Sequence, residues 1–296
     1  MTPRRFPGAE YGAGGGVDLK RYAASDGAEI AYSDEGAGRP LVLLHGLMAH
    51  RGFFQPQQEL AGEFRLIGID LRGHGASAAA GGALTVDRLA EDVSELVACL
   101  GLEGAVGIGW SLGASVLWRV LSGPEGRRFA GSVTIDMTPR VLNDGDWQLG
   151  LTPEICEART NAIRHDFSNF AVAAGHAIFA QPVADGKRAV ADWASFEFAR
   201  NDHHAIDAVW TSLVAEDFRA ELPGIEQPAL VVHGAHSQLY GPGTADHLVR
   251  ALPHARAVRF ERSGHAPHLE EPQLFNTLIR EFAATLPQPR EAQATA

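Results

Sequence analysis

The chain has 296 residues, enough for one large domain, or for one domain that carries an inserted segment. Hydrophobic residues make up 45% of it, which is the composition of a globular protein and not of a disordered one. The net charge of −11 would repel a nucleic-acid backbone or an anionic membrane surface, so neither is an expected partner.

Residues 1–16 are rich in glycine and proline, and they are predicted to form a disordered N-terminal segment. Its two arginines are not followed by an apolar stretch, so the segment is not predicted to be a signal peptide. No apolar run in the sequence reaches the length needed to span a bilayer. We therefore expect a cytoplasmic protein.

Strand-like and helix-like segments alternate after this, which predicts a mainly parallel sheet with helices on both faces. Asp18–Ala24 and Glu29–Asp34 read as an opening antiparallel pair, with the turn sequence Ser25-Asp26-Gly27 between them. Short apolar runs predict the remaining strands, at Leu41–Leu44, Arg65–Asp70, Ala105–Gly109, Val133–Ile135, Ala229–Val232 and Ala257–Phe260.

Helical spacing of apolar residues predicts core helices at Thr85–Leu100, Gly243–Leu252 and Pro272–Leu286. Thr85 is the expected N-cap of the first, and Cys99 near its end is expected to be buried as a small hydrophobe. Neither cysteine belongs to a metal-binding pattern, so no metal site is predicted.

Residues 140–220 interrupt the alternation. Helix-like, aromatic-rich segments follow one another there without a strand between them, at Ile155–Phe179, Arg188–Phe198 and Ala205–Phe218. A helical insert between two core strands predicts a lid over the carboxyl edge of the sheet. The expected organisation is a core of residues 17–139 and 221–288 with a helical lid of residues 140–220.

The segment Gly109-Trp110-Ser111-Leu112-Gly113 has the pattern G-x-S-x-G between an apolar strand and a helix. Such a sharp strand-to-helix turn exposes the hydroxyl of Ser111 and requires small residues on either side, because neighbouring backbone packs there. Ser111 is therefore the predicted nucleophile. A chance pentapeptide in a glycine-rich chain is the alternative, and the strand–turn–helix context argues against it.

A tetrahedral intermediate needs two N–H donors where its oxygen becomes negative. Leu112 is expected to supply one and Leu47, in the loop His45-Gly46-Leu47-Met48, the other, with Met48 as the second choice for that donor. The side chains of Met48 and Trp110 are predicted to contact the substrate, and His45 is expected to be structural.

His265 follows the last predicted strand, in a loop from which its imidazole can reach Ser111, so it is the predicted general base. His268 is its competitor and is expected to hydrogen-bond the loop instead.

Five segments together resemble the α/β-hydrolase superfamily: LLHG (43–46), DLRGHGAS (70–77), GWSLG (109–113), PALVVHG (228–234) and SGHAPHLEEP (263–272). The resemblance covers residues 18–286 and is to the serine esterase and lactonase-like branch, although carbon–carbon bond hydrolases and perhydrolases share these motifs. It implies the α/β-hydrolase fold, with a mostly parallel eight-stranded sheet, helices on both faces and an inserted helical lid. It also implies structural roles for Asp70 and Arg72.

This chain departs from the superfamily pattern at one position. Most members carry the acid of the catalytic triad three residues past the glycine of a VVHG-like segment, and here Ser237 holds that position, after Gly234. Some members carry the acid after the strand that follows the elbow helix, where this chain has Asp136. We therefore predict the triad Ser111–His265–Asp136. The alternative is that Asp136 caps the first turn of the lid and that a working acid is missing.

These residues predict hydrolysis of a hydrophobic carboxylic ester or lactone, a small-molecule partner, through an acyl-enzyme. No cofactor is predicted, because the sequence has no nucleotide-binding loop or metal-ligand spacing. The alternatives are a carbon–carbon bond hydrolase of the same fold and a ligand-binding protein with degenerate catalysis, which Ser237 alone supports. Dehalogenase or epoxide hydrolase chemistry is disfavoured because it needs a carboxylate in place of Ser111. The oligomeric state cannot be read from the sequence.

Overall fold

The structure is a computed structural model, and it describes residues 18–287. The predicted disordered segment, residues 1–16, lies outside the described residues. Within them the chain forms eight strands: β1 (Lys20–Ala23), β2 (Glu29–Gly36), β3 (Pro40–Leu44), β4 (Arg65–Ile69), β5 (Ala105–Trp110), β6 (Phe129–Ile135), β7 (Ala229–Gly234) and β8 (Ala255–Phe260).

The strands form one sheet in the order β1-β2-β4-β3-β5-β6-β7-β8. Strand β2 pairs antiparallel with both β1 and β4, and the remaining neighbours are parallel. Strands β3 and β5 are buried along their whole length, as their continuous apolar runs predict for central strands covered on both faces. The predicted mostly parallel, eight-stranded sheet is confirmed.

Helices cover the sheet and the site: α1 (Val86–Cys99), α2 (Leu112–Ser122), α3 (Pro153–His165), α4 (Phe167–Ala177), α5 (Arg188–Ala199), α6 (His203–Ala215), α7 (Pro242–Ala251), α8 (Pro267–Glu270) and α9 (Pro272–Thr285). Thr85 caps α1 as predicted, with its side chain accepting from the N–H of Arg88. The prediction for Cys99 was wrong: this residue is exposed, because the last turn of α1 turns it away from the buried stripe.

A 3₁₀-helical segment, Arg51–Gly62, was not predicted from the sequence. It contains Pro56 and a kink at Phe54, both of which interrupt a regular α-helix. Phe53, Phe54 and Leu60 are nevertheless buried. Long-range packing, which a local pattern does not record, therefore holds this segment in place.

The segment between β6 and β7 is helical, with α3 to α6 following one another. The predicted single segment Ile155–Phe179 is two helices, α3 and α4, because the backbone leaves the helical conformation at Asp166. The division into a core and a lid at residues 140 and 220 stays a prediction. None of the helices among residues 18–287 has both the length and the apolarity needed to cross a bilayer.

The parallel strands place four loops side by side. Ser111 follows β5, Asp136 follows β6, Ser237 follows β7 and His265 follows β8, and these strands are adjacent in that order. Because parallel strands end at the same edge of a sheet, residues far apart in sequence meet there. This edge carries the candidate site.

Candidate active site

The turn between β5 and α2 holds Ser111 in an unusual backbone conformation, with φ 52° and ψ −120°. A Cβ atom at Gly113 would lie 2.1 Å from the carbonyl oxygen of Leu44, and one at Gly109 would lie 2.4 Å from that of Gly113. Only glycine fits at either position. The close packing that the G-x-S-x-G pattern predicts is therefore present.

Backbone strain within the described residues is concentrated around this turn. The non-glycine residues with positive φ there are Met48 (64°), Ser111 (52°) and Asp136 (45°), each of which was singled out from the sequence. Such conformations cost free energy and persist where the surrounding structure enforces them, which is common at functional sites.

His265 and Asp136 form a buried pair. The imidazole Nδ1 of His265 lies 2.5 Å from Oδ2 of Asp136, and both side chains are nearly inaccessible to water. The indole N–H of Trp110 donates to the His265 carbonyl at 2.8 Å and so fixes the loop. With Nδ1–H donating to the carboxylate, Nε2 is left free to accept a proton, and Ser111 lines the same cavity as this ring.

Ser237 contributes to the site in a way that the sequence did not show. Its hydroxyl donates to Oδ2 of Asp136 at 2.6 Å, the same oxygen that His265 contacts. The Ser237 Oγ in turn accepts from the backbone N–H groups of Leu239 and Tyr240, which fixes the direction of the hydroxyl. Position 237 therefore still touches the acid–base pair, as a hydrogen-bond donor to the carboxylate.

Replacing Ser237 with alanine is expected to lower kcat for ester hydrolysis by roughly 10-fold, because a hydrogen bond to a charged group is lost. The measurement is steady-state hydrolysis of p-nitrophenyl butyrate at neutral pH. Ser237→Thr keeps the hydroxyl and is the matched control. Equal kcat for the alanine variant and the native protein would show that this hydrogen bond does not support Asp136.

The two predicted N–H donors of the oxyanion hole are available. Within residues 18–287, neither the N–H of Leu47 nor that of Leu112 is engaged in a hydrogen bond, and the N–H of Met48 is also unengaged. Leu47 lies in the loop after β3, and Leu112 is the first residue of α2. The positive end of the α2 helix dipole therefore lies at Leu112 and favours a negative charge there. The side chain of Leu112 is fully buried, so only its backbone can serve the site.

A cavity of about 260 Å³ lies over Ser111 and His265. Leu47, Met48 and Trp110 line it at the sheet edge, and the remaining lining comes mainly from the helices α3 to α6. Among the described residues, no group of three or more His, Cys, Asp or Glu side chains is arranged to hold a metal ion.

Of the aromatic side chains between β6 and β7, Phe170, Phe198 and Trp210 line this cavity, whereas Phe196 is exposed. The ring of Trp110 stacks on Phe53 and is buried, so part of its role is to hold the site together.

Two histidines close to the site have structural environments. His45 is buried, and both of its ring nitrogens are hydrogen-bonded to backbone groups. The N–H of Leu71 donates to its Nε2, and its Nδ1 contacts the carbonyl oxygen of Gly46. His268 was expected to hydrogen-bond its loop, and this was wrong: its ring nitrogens have no hydrogen-bond partner within residues 18–287. Burial, with a smaller effect of His265, lowers the pKa of His268 to about 3, so this ring is neutral.

The buried residues of the DLRGHG segment form ion pairs away from the cavity. Arg72 is paired with Asp92 and Asp26, and Asp70 with Arg51. These contacts hold neighbouring loops together, which agrees with the structural roles that the sequence implied.

Glu270 joins the His265 loop to the helical segment. Its carboxylate accepts from the N–H of Gly264 at 2.6 Å and from that of Ala180 at 2.8 Å. Burial raises the pKa of Glu270 to about 7, against the lowering effects of these two hydrogen bonds and of the positive charge of Lys187.

This pKa predicts a pH-dependent stability. Because the folded pKa of Glu270 lies above the value of about 4.5 for the unfolded chain, its contribution is fully present below pH 4.5 and is lost as the pH rises through 7. The Glu270→Gln variant lacks this titration. The difference in free energy of unfolding, native minus variant, should therefore fall by on the order of 3 kcal/mol from pH 4.5 to pH 8. Urea denaturation at both pH values measures it, and a difference that stays constant with pH contradicts the prediction.

A mostly parallel sheet with a serine elbow after its central strand, and with an Asp–His pair at the carboxyl ends of β6 and β8, is the architecture of an α/β hydrolase. The chain belongs to the alpha/beta hydrolase family, whose model matches residues 41–278. The family and fold predicted from the sequence are confirmed.

Named relatives and solved structures match this chain over most of its length. It is 32% identical over 254 residues to a pimeloyl-[acyl-carrier protein] methyl ester esterase from Nitrosomonas europaea, covering 84% of this chain and 97% of that protein. An esterase from Exiguobacterium antarcticum superposes with a TM-score of 0.84 at 25% identity, covering 90% of this chain and 99% of the other. An enol-lactonase from Burkholderia xenovorans gives 0.79 at 25% identity, covering 90% of this chain and 100% of the other.

Proposed function

We propose that this protein hydrolyses a carboxylic ester or lactone with a largely apolar body, through an acyl-enzyme on Ser111. The roles assigned to the other residues are general base for His265, orienting acid for Asp136 and oxyanion hole for the N–H groups of Leu47 and Leu112. Met48 and Trp110 are assigned to the substrate pocket.

This chain is a carboxylic ester hydrolase. Several relatives that it matches over most of their length are named esterases, and a protein named an enol-lactonase has the same fold at 25% identity. The choice between an open-chain ester and a lactone belongs to the proposal.

The proposed reaction begins when Ser111 Oγ attacks the substrate carbonyl while Nε2 of His265 takes its proton. The carboxylate of Asp136 stabilises the imidazolium that forms, and the two N–H groups stabilise the negative oxygen of the tetrahedral intermediate. His265 then returns the proton to the leaving alkoxide, which leaves Ser111 acylated. A water molecule deprotonated by His265 releases the acid and restores the enzyme.

The contact between Nδ1 of His265 and Oδ2 of Asp136, at 2.5 Å, carries this proposal. It supports Asp136 as the acid in place of the one that position 237 lacks, and it leaves the other ring nitrogen free for the proposed proton transfer from Ser111. The alternative of a ligand-binding protein depends on a missing acid, and this contact argues against it.

The proposal is tested by turnover and by covalent labelling. We expect the protein to hydrolyse p-nitrophenyl butyrate and to react with a fluorophosphonate probe, with the adduct located on Ser111 by peptide mass spectrometry. Heat-denatured protein is the control, since labelling needs the folded site. Folded protein that neither turns over esters nor takes up the probe would indicate binding without catalysis.

A further inference from the structure

The side chain of Arg159, on α3, lines the cavity over Ser111 and is half-buried. Within residues 18–287 its guanidinium forms no ion pair, no hydrogen bond and no cation–π contact. Arg164 on the same helix is different, because it pairs with Asp207 at 2.8 Å outside the cavity. The two arginines point to different faces of α3, and of the two only Arg164 has a partner among the described side chains.

The apolar surroundings of Arg159 make an unpaired positive charge there unfavourable in free energy. None of the described residues that line the cavity is an aspartate or a glutamate, and most of the lining is apolar, with Ile163 and Leu213 among it. Burial lowers the pKa of Arg159, but a guanidinium remains protonated in proteins. A positive charge in apolar surroundings is unfavourable unless an anion approaches it.

Tyr240 adds a second unused donor. It also lines the cavity, and its hydroxyl makes no hydrogen bond within the described part of the chain. Burial raises the pKa of Tyr240, so the phenol keeps its proton and can donate it in a hydrogen bond. The cavity thus combines an apolar body with two unpaired donors, one of them charged.

We propose that Arg159 binds a carboxylate at the non-reacting end of the substrate, so that this enzyme acts on esters or lactones that carry a free acid. This inference rests on the proposed function, since the reacting carbonyl must lie at Ser111. A guanidinium is suited to this ligand because its planar N–H groups can contact both oxygens of a carboxylate. The phenol of Tyr240 is a second donor to the same group.

The test compares esters that differ only in this charge. Monoethyl esters of the linear dicarboxylic acids from succinate to suberate are set against ethyl esters of monocarboxylic acids of equal length, with acid release followed in a pH-stat. We expect the native protein to prefer the anionic ester at one chain length by roughly 10- to 100-fold in kcat/KM, the range for a hydrogen bond to a charged group.

Arg159→Gln is expected to remove that preference, because it should raise KM for the anionic ester by a much larger factor than KM for the neutral ester. Arg159→Lys should keep part of the preference, because it keeps the charge without the planar guanidinium. Arg164→Gln is the matched control on the same helix and should leave both substrates unaffected. An equal loss on both substrates in Arg159→Gln, or a native protein that does not prefer the anion, overturns the inference.

Binding separates this inference from the proposed function. In the Ser111→Ala background, calorimetry of monoethyl adipate and ethyl hexanoate is performed with and without the additional substitution Arg159→Gln, so that binding is measured without turnover. Selective binding of the anion that is lost with Arg159 supports the inference even if the native protein cleaves neither ester, in which case the proposed function fails alone. Absence of selective binding by a protein that hydrolyses neutral esters leaves the proposed function standing and ends this inference.

Discussion

Replacing Asp136 with asparagine is expected to lower kcat for p-nitrophenyl butyrate by roughly 10⁴-fold, with the fold intact. The carboxylate accepts from Nδ1 of His265 at 2.5 Å, and it is the only acid in contact with that ring in the described chain. An amide cannot stabilise the imidazolium, and it can offer an N–H to Nδ1 and so favour the wrong tautomer. Steady-state kinetics with circular dichroism and thermal melting measure the effect.

A carboxylate at position 237 provides the matched test of this assignment. The side chain of Ser237 already lies 2.6 Å from that of Asp136, at the place where most superfamily members carry the acid. Ser237→Asp combined with Asp136→Asn should therefore recover part of the lost kcat. If Asp136→Asn alone is folded and almost fully active, Asp136 is not the orienting acid.

The Ser111→Ala variant is expected to lose about 10⁶-fold in kcat, the scale seen when the nucleophile of a serine hydrolase is removed. It should also take up no fluorophosphonate probe. Only the hydroxyl is deleted, because alanine keeps the Cβ atom in the same strained turn at φ 52°. Rate measurements and probe labelling on the same preparation check both outcomes.

Ser115 supplies the control for this variant. It lies one turn further along α2 and is fully buried, with a hydroxyl that has no hydrogen-bond partner among the described residues. Ser115→Ala should keep both turnover and labelling. Ester hydrolysis that survives in Ser111→Ala would assign the nucleophile to another residue.

The strands and most helices could be located from the sequence, because their patterns are local. The continuous apolar run Leu41–Leu44 predicts a strand that is buried on both faces, and it forms most of β3. The helical spacing of apolar residues after the N-cap Thr85 predicts the start of α1. The break at Asp166 and the 3₁₀ segment Arg51–Gly62 were missed. Phe53, Phe54 and Leu60 of the 3₁₀ segment are buried by parts of the chain distant in sequence, whereas the break at Asp166 has no glycine or proline to mark it.

The amino-acid sequence was enough to single out Ser111, His265 and Asp136 as a set, because each follows a recognisable strand. It could not show that Asp136 and His265 touch, since 129 positions separate them. Parallel pairing of β6, β7 and β8 brings their carboxyl ends together, and that pairing decides the contact.

Tertiary structure alone showed what Ser237 and Arg159 do. From the sequence Ser237 was evidence against catalysis, whereas in the fold its hydroxyl donates to Asp136. Arg159 carries no sequence motif, and only the packing of α3 over the cavity brings it to the wall that Ser111 also lines, without a partner among the described residues. A motif records which residue types a turn requires, whereas the direction and the partners of a side chain depend on how elements distant in sequence pack together.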